Sequence, residues 1–227
     1  MTYAISDIHG CYDKYRAMID RIKLKRGDKL YVLGDVIDRG EHGIRVLRDM
    51  MRRKNVIPIL GNHEYMAKKV LKAEAEFPES VDRISRTRSH AEWMLNGGHT
   101  TEDEFLGLDP AEKRELVDYI NGFILYDVID VGGRRFHLSH TLPGYDEETG
   151  IHGVGVYDFV WGEPDYEIRY DPDVTFITGH TPTAFIDHNF RGKIWQGNGH
   201  VAIDCGAVFE GGRLGCICLD TMEEIYA

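Results

Sequence analysis

The chain is expected to adopt an α/β fold, on three observations. Its first sixty residues alternate short apolar strands with segments of helical period. Residues 65–122 are patterned as helix. From residue 124 onward, short strands are joined by glycine-bearing turns. A βαβαβ opening makes its three strands parallel neighbours. It also carries the turns after them to one edge of the sheet, where ligands bind in open α/β folds.

Residues 3–6 read as the first strand, which ends in Asp7-Ile8-His9-Gly10. Tyr15, Met18, Ile19 and Ile22 then give a helical period. After a Gly27-Asp28 turn, Lys29-Leu30-Tyr31-Val32-Leu33 forms the second strand and runs into Gly34-Asp35-Val36-Ile37-Asp38-Arg39-Gly40. A helix over residues 44–53 ends in basic residues, which suit a helix C-terminus. The third strand, residues 56–60, leads into Gly61-Asn62-His63-Glu64. Within the helical insertion, Trp93-Met94-Leu95-Asn96-Gly97-Gly98 makes a glycine turn, and Asp109-Pro110 starts a further helix. An insertion placed directly after such a turn forms a wall or lid of a pocket.

In the second half, residues 124–131, 135–139, 175–178, 185–190, 194–196, 201–204, 214–219 and 223–227 read as strands. Gly132-Gly133 and Gly211-Gly212 are expected hairpin turns, so this half is expected to be mostly antiparallel. The loop over residues 141–156, rich in glycine and acid, is expected to be the most mobile segment.

With 227 residues, a single domain over 1–227 is the simplest organisation. Twenty-seven basic against 38 acidic residues give a net charge of −11. That argues against nonspecific partnership with nucleic acid or an anionic membrane, which needs a basic face, though it leaves room for a local basic pocket. The four cysteines form no Cys-x-x-Cys pair, and Met1 runs straight into a strand. No leader and no membrane span is read, and the expected location is a reducing cytoplasm.

The chemistry lies at the strand ends. Asp35 and Asp38 would repel each other in a dry cleft without a cation beside them. Asp7, His9, Asn62, His140 and His180 lie on the other strand ends. With Asp35 these are too many for one closed tetrahedral site. They suit two metal ions about 3.5–4 Å apart that share a ligand, and Asp35 has two oxygens to share. Carboxylate, amide and imidazole together favour manganese, iron or zinc, and the absence of thiolates disfavours structural zinc. Water held between two such ions is a nucleophile at neutral pH, and the site favours attack on phosphorus.

The three motifs, in this order and at these distances, resemble the signature of the calcineurin-like metallophosphoesterases. The sub-branch they resemble is the phosphoprotein phosphatase (serine/threonine) family, near its compact bacterial and phage members. His140, Trp161, His180 and Ile203-Asp204-Cys205-Gly206 fall where that family has its later blocks, and the Trp93 to Gly98 turn resembles an element of its bacterial members. The resemblance implies a β-sandwich of mixed sheets flanked by helices. It implies one metal on Asp7, His9 and Asp35, and another on Asp35, Asn62, His140 and His180. His63 would protonate the leaving oxygen and Asp38 would orient it, while Arg39, with Asn62, would bind the phosphate. A neighbouring carboxylate is expected to raise the histidine pKa.

The implied enzyme uses two divalent ions, manganese first, to hydrolyse phosphate monoesters with a bridging hydroxide. The main expectation is a serine/threonine protein phosphatase acting on a phosphorylated protein or small phosphate ester. The alternative is a symmetrical dinucleoside polyphosphate hydrolase. The chain departs from the family in two places. Ser6 stands where glycine is usual, and the run Trp161-Gly162-Glu163-Pro164-Asp165 lacks a second phosphate-binding arginine. Arg134, Arg135, Arg169 and Arg191 are candidate replacements. Glu64 is read as a helix cap, Trp93 and Trp161 as core or pocket wall, and Cys216 and Cys218 as neighbours on one strand face.

Overall fold

The computed structural model describes residues 1–77, 79, 81–84, 86–146, 150–151 and 155–227. The first half runs β1 (Thr2–Ile5), α1 (Tyr12–Ile22), β2 (Lys29–Leu33), α2 (Gly43–Met51), β3 (Val56–Ile59) and α3 (Asn62–Glu76). The helical insertion continues through α4 (Val81–Ile84), α5 (Arg88–Leu95), α6 (His99–Leu106) and α7 (Pro110–Asn121). The second half comprises β4 (Tyr126–Val131), β5 (Arg134–Ser139), β6 (Tyr145–Asp146), β7 (Gly150–Ile151), α8 (Val156–Trp161), β8 (Val174–Thr178), α9 (Thr183–Ile186), β9 (Trp195–Gly197), β10 (His200–Ala202), β11 (Gly215–Cys218) and β12 (Glu223–Tyr226).

Two mixed five-stranded sheets result. One has the order β12-β11-β1-β2-β3, the other β4-β5-β8-β10-β9. As the opening predicts, β1, β2 and β3 are parallel neighbours. The period-two alternation of each strand decides where its side chains go. Tyr3 and Ile5 of β1, Leu30 and Val32 of β2, and Cys216 and Cys218 of β11 face the helices. Ala4, Tyr31, Leu33 and Ile217 face the second sheet, where they pack with Phe136, Leu138, Ile177 and Val201. Each fully buried aliphatic chain in this inter-sheet layer contributes about 1.5–3 kcal/mol.

The helices follow their local signals. Tyr15, Met18, Ile19 and Ile22 form the buried face of α1. Asp109 caps α7 through Ala111 N and Glu112 N, with Pro110 at the first helical position. Helix α3 starts earlier than the sequence reading has it. Asn62, His63 and Glu64 are its first turn, following Gly61 in an extended conformation.

The second half departs from expectation in several places. Antiparallel pairs predominate, yet β5–β8 and β8–β10, at the centre of the second sheet, are parallel. Residues 185–190 are not a strand. They form α9 and a 3-10 turn, His188–Phe190, because Pro182 directs the chain into a helix and the Asp187 side chain caps Asn189 N at 2.9 Å. Gly211-Gly212 is not a hairpin turn, because β10 and β11 belong to different sheets and the segment between them crosses from one to the other. Helix α8 carries no clear periodicity and was not anticipated. The segment expected to be mobile falls partly on residues 147–149 and 152–154, outside the described residues; around them β6 pairs with β7. No helix among the described residues is long and apolar enough to cross a membrane.

Glu74, on the buried face of α3, gives a stability test. Burial and neighbouring Glu102 push its carboxyl from 4.5 up to about 8. Between those values the folded state keeps a proton that the unfolded state releases, so stability falls as pH rises through the window. Glu74→Gln should therefore raise the unfolding free energy in urea at pH 9 more than at pH 5, by about 1–3 kcal/mol. Equal effects at both pH values would refute this account.

Candidate active site

The C-terminal ends of β1, β2, β3, β5 and β8 converge on one edge of the two sheets. Backbone bonds lock the first two turns together: Asp7 N donates to Gly34 O (3.1 Å), His9 N to Asp35 O (2.8 Å), Gly10 N to Val36 O (2.8 Å) and Gly40 N to His9 O (3.1 Å). The approach is too close for side chains at the crossing. A Cβ on Gly34, whose φ is +79°, would lie 2.6 Å from Gly61 Cα and 2.7 Å from His140 Nδ1. Asp7, His9, Asp35, Asp38, Arg39 and His180 also have positive φ. This conformation costs non-glycine residues about 1–3 kcal/mol each and is concentrated at functional sites.

Among the described residues two clusters of ligand-type atoms result, each within 4.8 Å: His9, Asp35 and His63, and Asp35, His140 and His180. Asp35 is common to both. His140 Nδ1 donates to Leu33 O at 2.7 Å, so its Nε2 presents a lone pair, 3.5 Å from Asp35 Oδ1 and 3.1 Å from His180 Nδ1. His9 likewise donates from Nδ1 to Ile37 O at 3.0 Å. The Asn62 amide lies within 3.2 Å of both imidazoles, and with its nitrogen turned to Asp35 it donates to Oδ1 and Oδ2 at 3.2 and 3.1 Å. Asp7 lies outside both clusters. Its oxygens accept His180 N at 3.0 and 3.2 Å, and it is repelled by Asp204 at the end of β10.

Burial dominates the electrostatics. It pushes Asp7 and Asp35 well above the usual carboxylate range and His9 and His140 well below the usual imidazole range. His180 is lowered to about 4 and Asp204 raised to about 6 for the same reason. Neutral imidazoles with inward lone pairs and carboxylates that resist ionisation fit a divalent cation, which supplies the charge this edge lacks.

Within the first cluster, His63 Nδ1 donates to Asp38 Oδ2 at 2.7 Å, with both side chains buried. His63 Nε2 is buried, 3.9 Å from Asp35 Oδ2, with no hydrogen-bond partner among the described residues. The expected upward shift of the imidazole is reversed: burial and then the Arg39 charge lower His63 to about 3, while burial raises Asp38 to about 7. Arg39 is the exposed member of its motif, and its Nη1 donates to His9 Nε2 at 2.8 Å.

Three supports escaped the sequence reading or were read too narrowly. Glu64 does more than cap α3. Its carboxylate also accepts the backbone N–H of Asp35 (2.9 Å), Val36 (2.8 Å) and Ile37 (3.3 Å), besides Gly61 (3.2 Å). Trp93 Nε1 donates to Asp38 Oδ2 at 2.8 Å, and Thr101 Oγ1 donates to Asp38 Oδ1 at 2.6 Å. A tryptophan N–H in a core needs an acceptor, which is the one sequence signal pointing there; Thr101 offered none. Among the candidate second arginines, Arg134 bonds Leu219 O and Asp220 O, Arg135 bonds Asp130, and Arg169 bonds Pro172 O.

Comparison with known proteins follows this geometry. A family model described as calcineurin-like phosphoesterase matches residues 2–211. The symmetrical bis(5'-nucleosyl)-tetraphosphatase of Wigglesworthia glossinidia brevipalpis is 41% identical over 64 residues, covering 27% of this chain and 24% of that protein. The protein of the same name from Neisseria gonorrhoeae is 39% identical over 64 residues, covering 27% and 23%. The matches thus span about a quarter of these relatives' length. A solved structure provisionally named as a diadenosine tetraphosphatase superposes with TM-score 0.64 at 17% identity, covering 100% of this chain and 92% of that one. A protein serine/threonine phosphatase from Saccharomyces cerevisiae gives TM-score 0.60 at 11% identity, covering 100% and 78%. At such identities the likeness is one of fold. These two curated relatives carry the tetraphosphatase name, not the serine/threonine phosphatase name that the resemblance led us to expect.

Glu64→Gln tests the role of that carboxylate. One acceptor is replaced by a donor facing backbone N–H groups, and bonds to a charged acceptor contribute about 1.5–3 kcal/mol each. Each oxygen accepts two of the N–H groups, so melting should fall by roughly 6–24 °C, and manganese affinity by about tenfold or more, read by calorimetry. Unchanged melting and affinity would show that Glu64 does not hold the turn.

Proposed function

The chain belongs to the calcineurin-like phosphoesterase family, and from that premise we propose that it is a metal-dependent hydrolase of dinucleoside polyphosphates. The observation that carries the reaction class is the pair of ligand clusters sharing Asp35 beside the His63–Asp38 hydrogen bond. The names of the curated relatives support the substrate class. A phosphorylated protein, the expectation from the motifs, lacks comparable support.

In this reading His9 and Asp35, with Asp7 at the neighbouring strand end, would hold one divalent ion, and Asp35, Asn62, His140 and His180 would hold the other, manganese being the first candidate. Such ions neutralise phosphoryl charge and make water nucleophilic at neutral pH. Asp35, common to both clusters, would be the ligand that the two ions share. Arg39, exposed at the rim, binds a phosphoryl group of the arriving substrate. Asp38 accepts the Nδ1 proton of His63 and so aims Nε2 at the leaving oxygen. An anionic phosphate at Nε2 favours the charged imidazole and offsets the depression caused by burial. As water oxygen adds to phosphorus and the bond to the bridging oxygen breaks, His63 delivers its Nε2 proton to that oxygen.

Manganese-dependent hydrolysis of diadenosine tetraphosphate is the expected activity. Asp35→Asn and His63→Asn should each lower kcat by about 10²–10⁴. A kcat/KM larger for a phosphoserine peptide than for diadenosine tetraphosphate would overturn the substrate assignment. Absence of turnover with every divalent metal tried would overturn the reaction class.

A further inference from the structure

The loops leaving β8 and β10 enclose a cavity of about 440 Å³, lined among others by Pro182, Phe185, Arg191, Gly206 and Phe209. Its position ties it to the site edge. The lining begins two residues after His180 and one residue after Asp204, at the C-terminal ends of parallel strands. Thr183 N donates to Asp204 O at 2.9 Å and joins the two walls. From α1, Lys14 Nζ donates to Ala207 O and Gly212 O, both at 2.7 Å, which fixes the second wall against that helix.

The chemistry of the cavity is unlike that of the metal-facing edge. Its surface is predominantly apolar. Phe185 and Phe209 stand 81% and 51% exposed on it. Large exposed rings grouped around an apolar hollow mark a binding surface, and the volume lies in the range of small-molecule sites. Arg191 is held at the same rim by its bond from Nη2 to Glu210 O at 2.8 Å, and brings the cavity a positive charge. Phenyl faces accept any nucleobase by stacking, and a guanidinium beside them suits a nucleotide carrying phosphate on its sugar.

We propose that this cavity is the nucleobase subsite of the enzyme, with Phe185 and Phe209 flanking the base of one nucleoside end of the substrate and Arg191 facing its phosphate chain. The assignment rests on the dinucleoside polyphosphate reading and adds to it the side chains that recognise the nucleoside. The phosphoryl group at the metal-facing edge and the base in the cavity are then held by neighbouring loops.

The test is the ratio of kcat/KM for diadenosine tetraphosphate to kcat/KM for p-nitrophenyl phosphate, with manganese. The double variant Phe185→Ala/Phe209→Ala should lower this ratio about tenfold or more. Ala184→Trp, which fills the cavity without removing either ring, should lower it as well. Adenosine, which has no phosphate to occupy the metal-facing edge, should bind the wild type and lose about tenfold in affinity in the double variant by calorimetry. A wild type that hydrolyses diadenosine tetraphosphate while all these variants keep its ratio overturns the subsite and leaves the substrate reading standing. A wild type that hydrolyses only p-nitrophenyl phosphate overturns the substrate reading and the subsite together.

Discussion

The Glu64 carboxylate is the joint on which the site edge depends. It is fully buried and receives backbone N–H groups from Asp35, Val36, Ile37 and Gly61. Those donors belong to two different strand ends, so one side chain fixes the distance between the β2 turn and the start of α3. Asp35 and Asn62 inherit that distance. Burial raises Glu64 itself to about 7, and its hydrogen bonds oppose the shift. A charge with four donors satisfies the backbone of a turn that makes no regular structure, which a buried turn otherwise leaves unpaired.

The turns so held are conformationally costly. Six of the site-edge side chains sit on residues with positive φ, and each such residue costs energy that core packing must offset. The inter-sheet layer and the helix-facing layer supply it, since both consist of alternating strand residues that are nearly all buried. Rigid turns on rigid strands bring buried imidazoles and carboxylates close together before any cation arrives. The protein thereby bears the cost of desolvating these groups on folding, and binding of a metal recovers part of it.

Support for Asp38 comes from a different layer. Trp93 and Thr101 reach it from α5 and α6, and Arg39 N donates to Gly97 O at 3.0 Å in the turn between those helices. The helical insertion therefore acts less as a lid than as a buttress for one carboxylate and the arginine beside it. One Asp38 oxygen takes both the His63 and Trp93 protons, and the other takes Thr101. This network fixes the imidazole from the helical side, while the edge of the His9 ring meets it from the β1 turn, with ring centroids 4.6 Å apart.

Local sequence determined the βαβαβ opening, the capped start at Asp109-Pro110, the position of each polar turn and the membership of Asp7, His9, Asp35, Asn62, His63, His140 and His180 in one neighbourhood. Those features follow from period, from turn residues and from the rule that parallel strands end on the same side. The sandwich partner of each strand was not legible in this way. The chain between β10 and β11 changes sheets, and glycines at 211 and 212 look the same in a crossover as in a hairpin. Residues 185–190 show strand-like spacing, yet Pro182 and Asp187 drew them into helical turns. Only the tertiary structure decided that Glu64 bridges two turns, that Trp93 and Thr101 grip Asp38, that Asp204 stands against Asp7, and that burial lowers His63 instead of its carboxylate raising it. Those outcomes depend on which groups share a dry space, and contacts between residues tens of positions apart leave no period in the sequence.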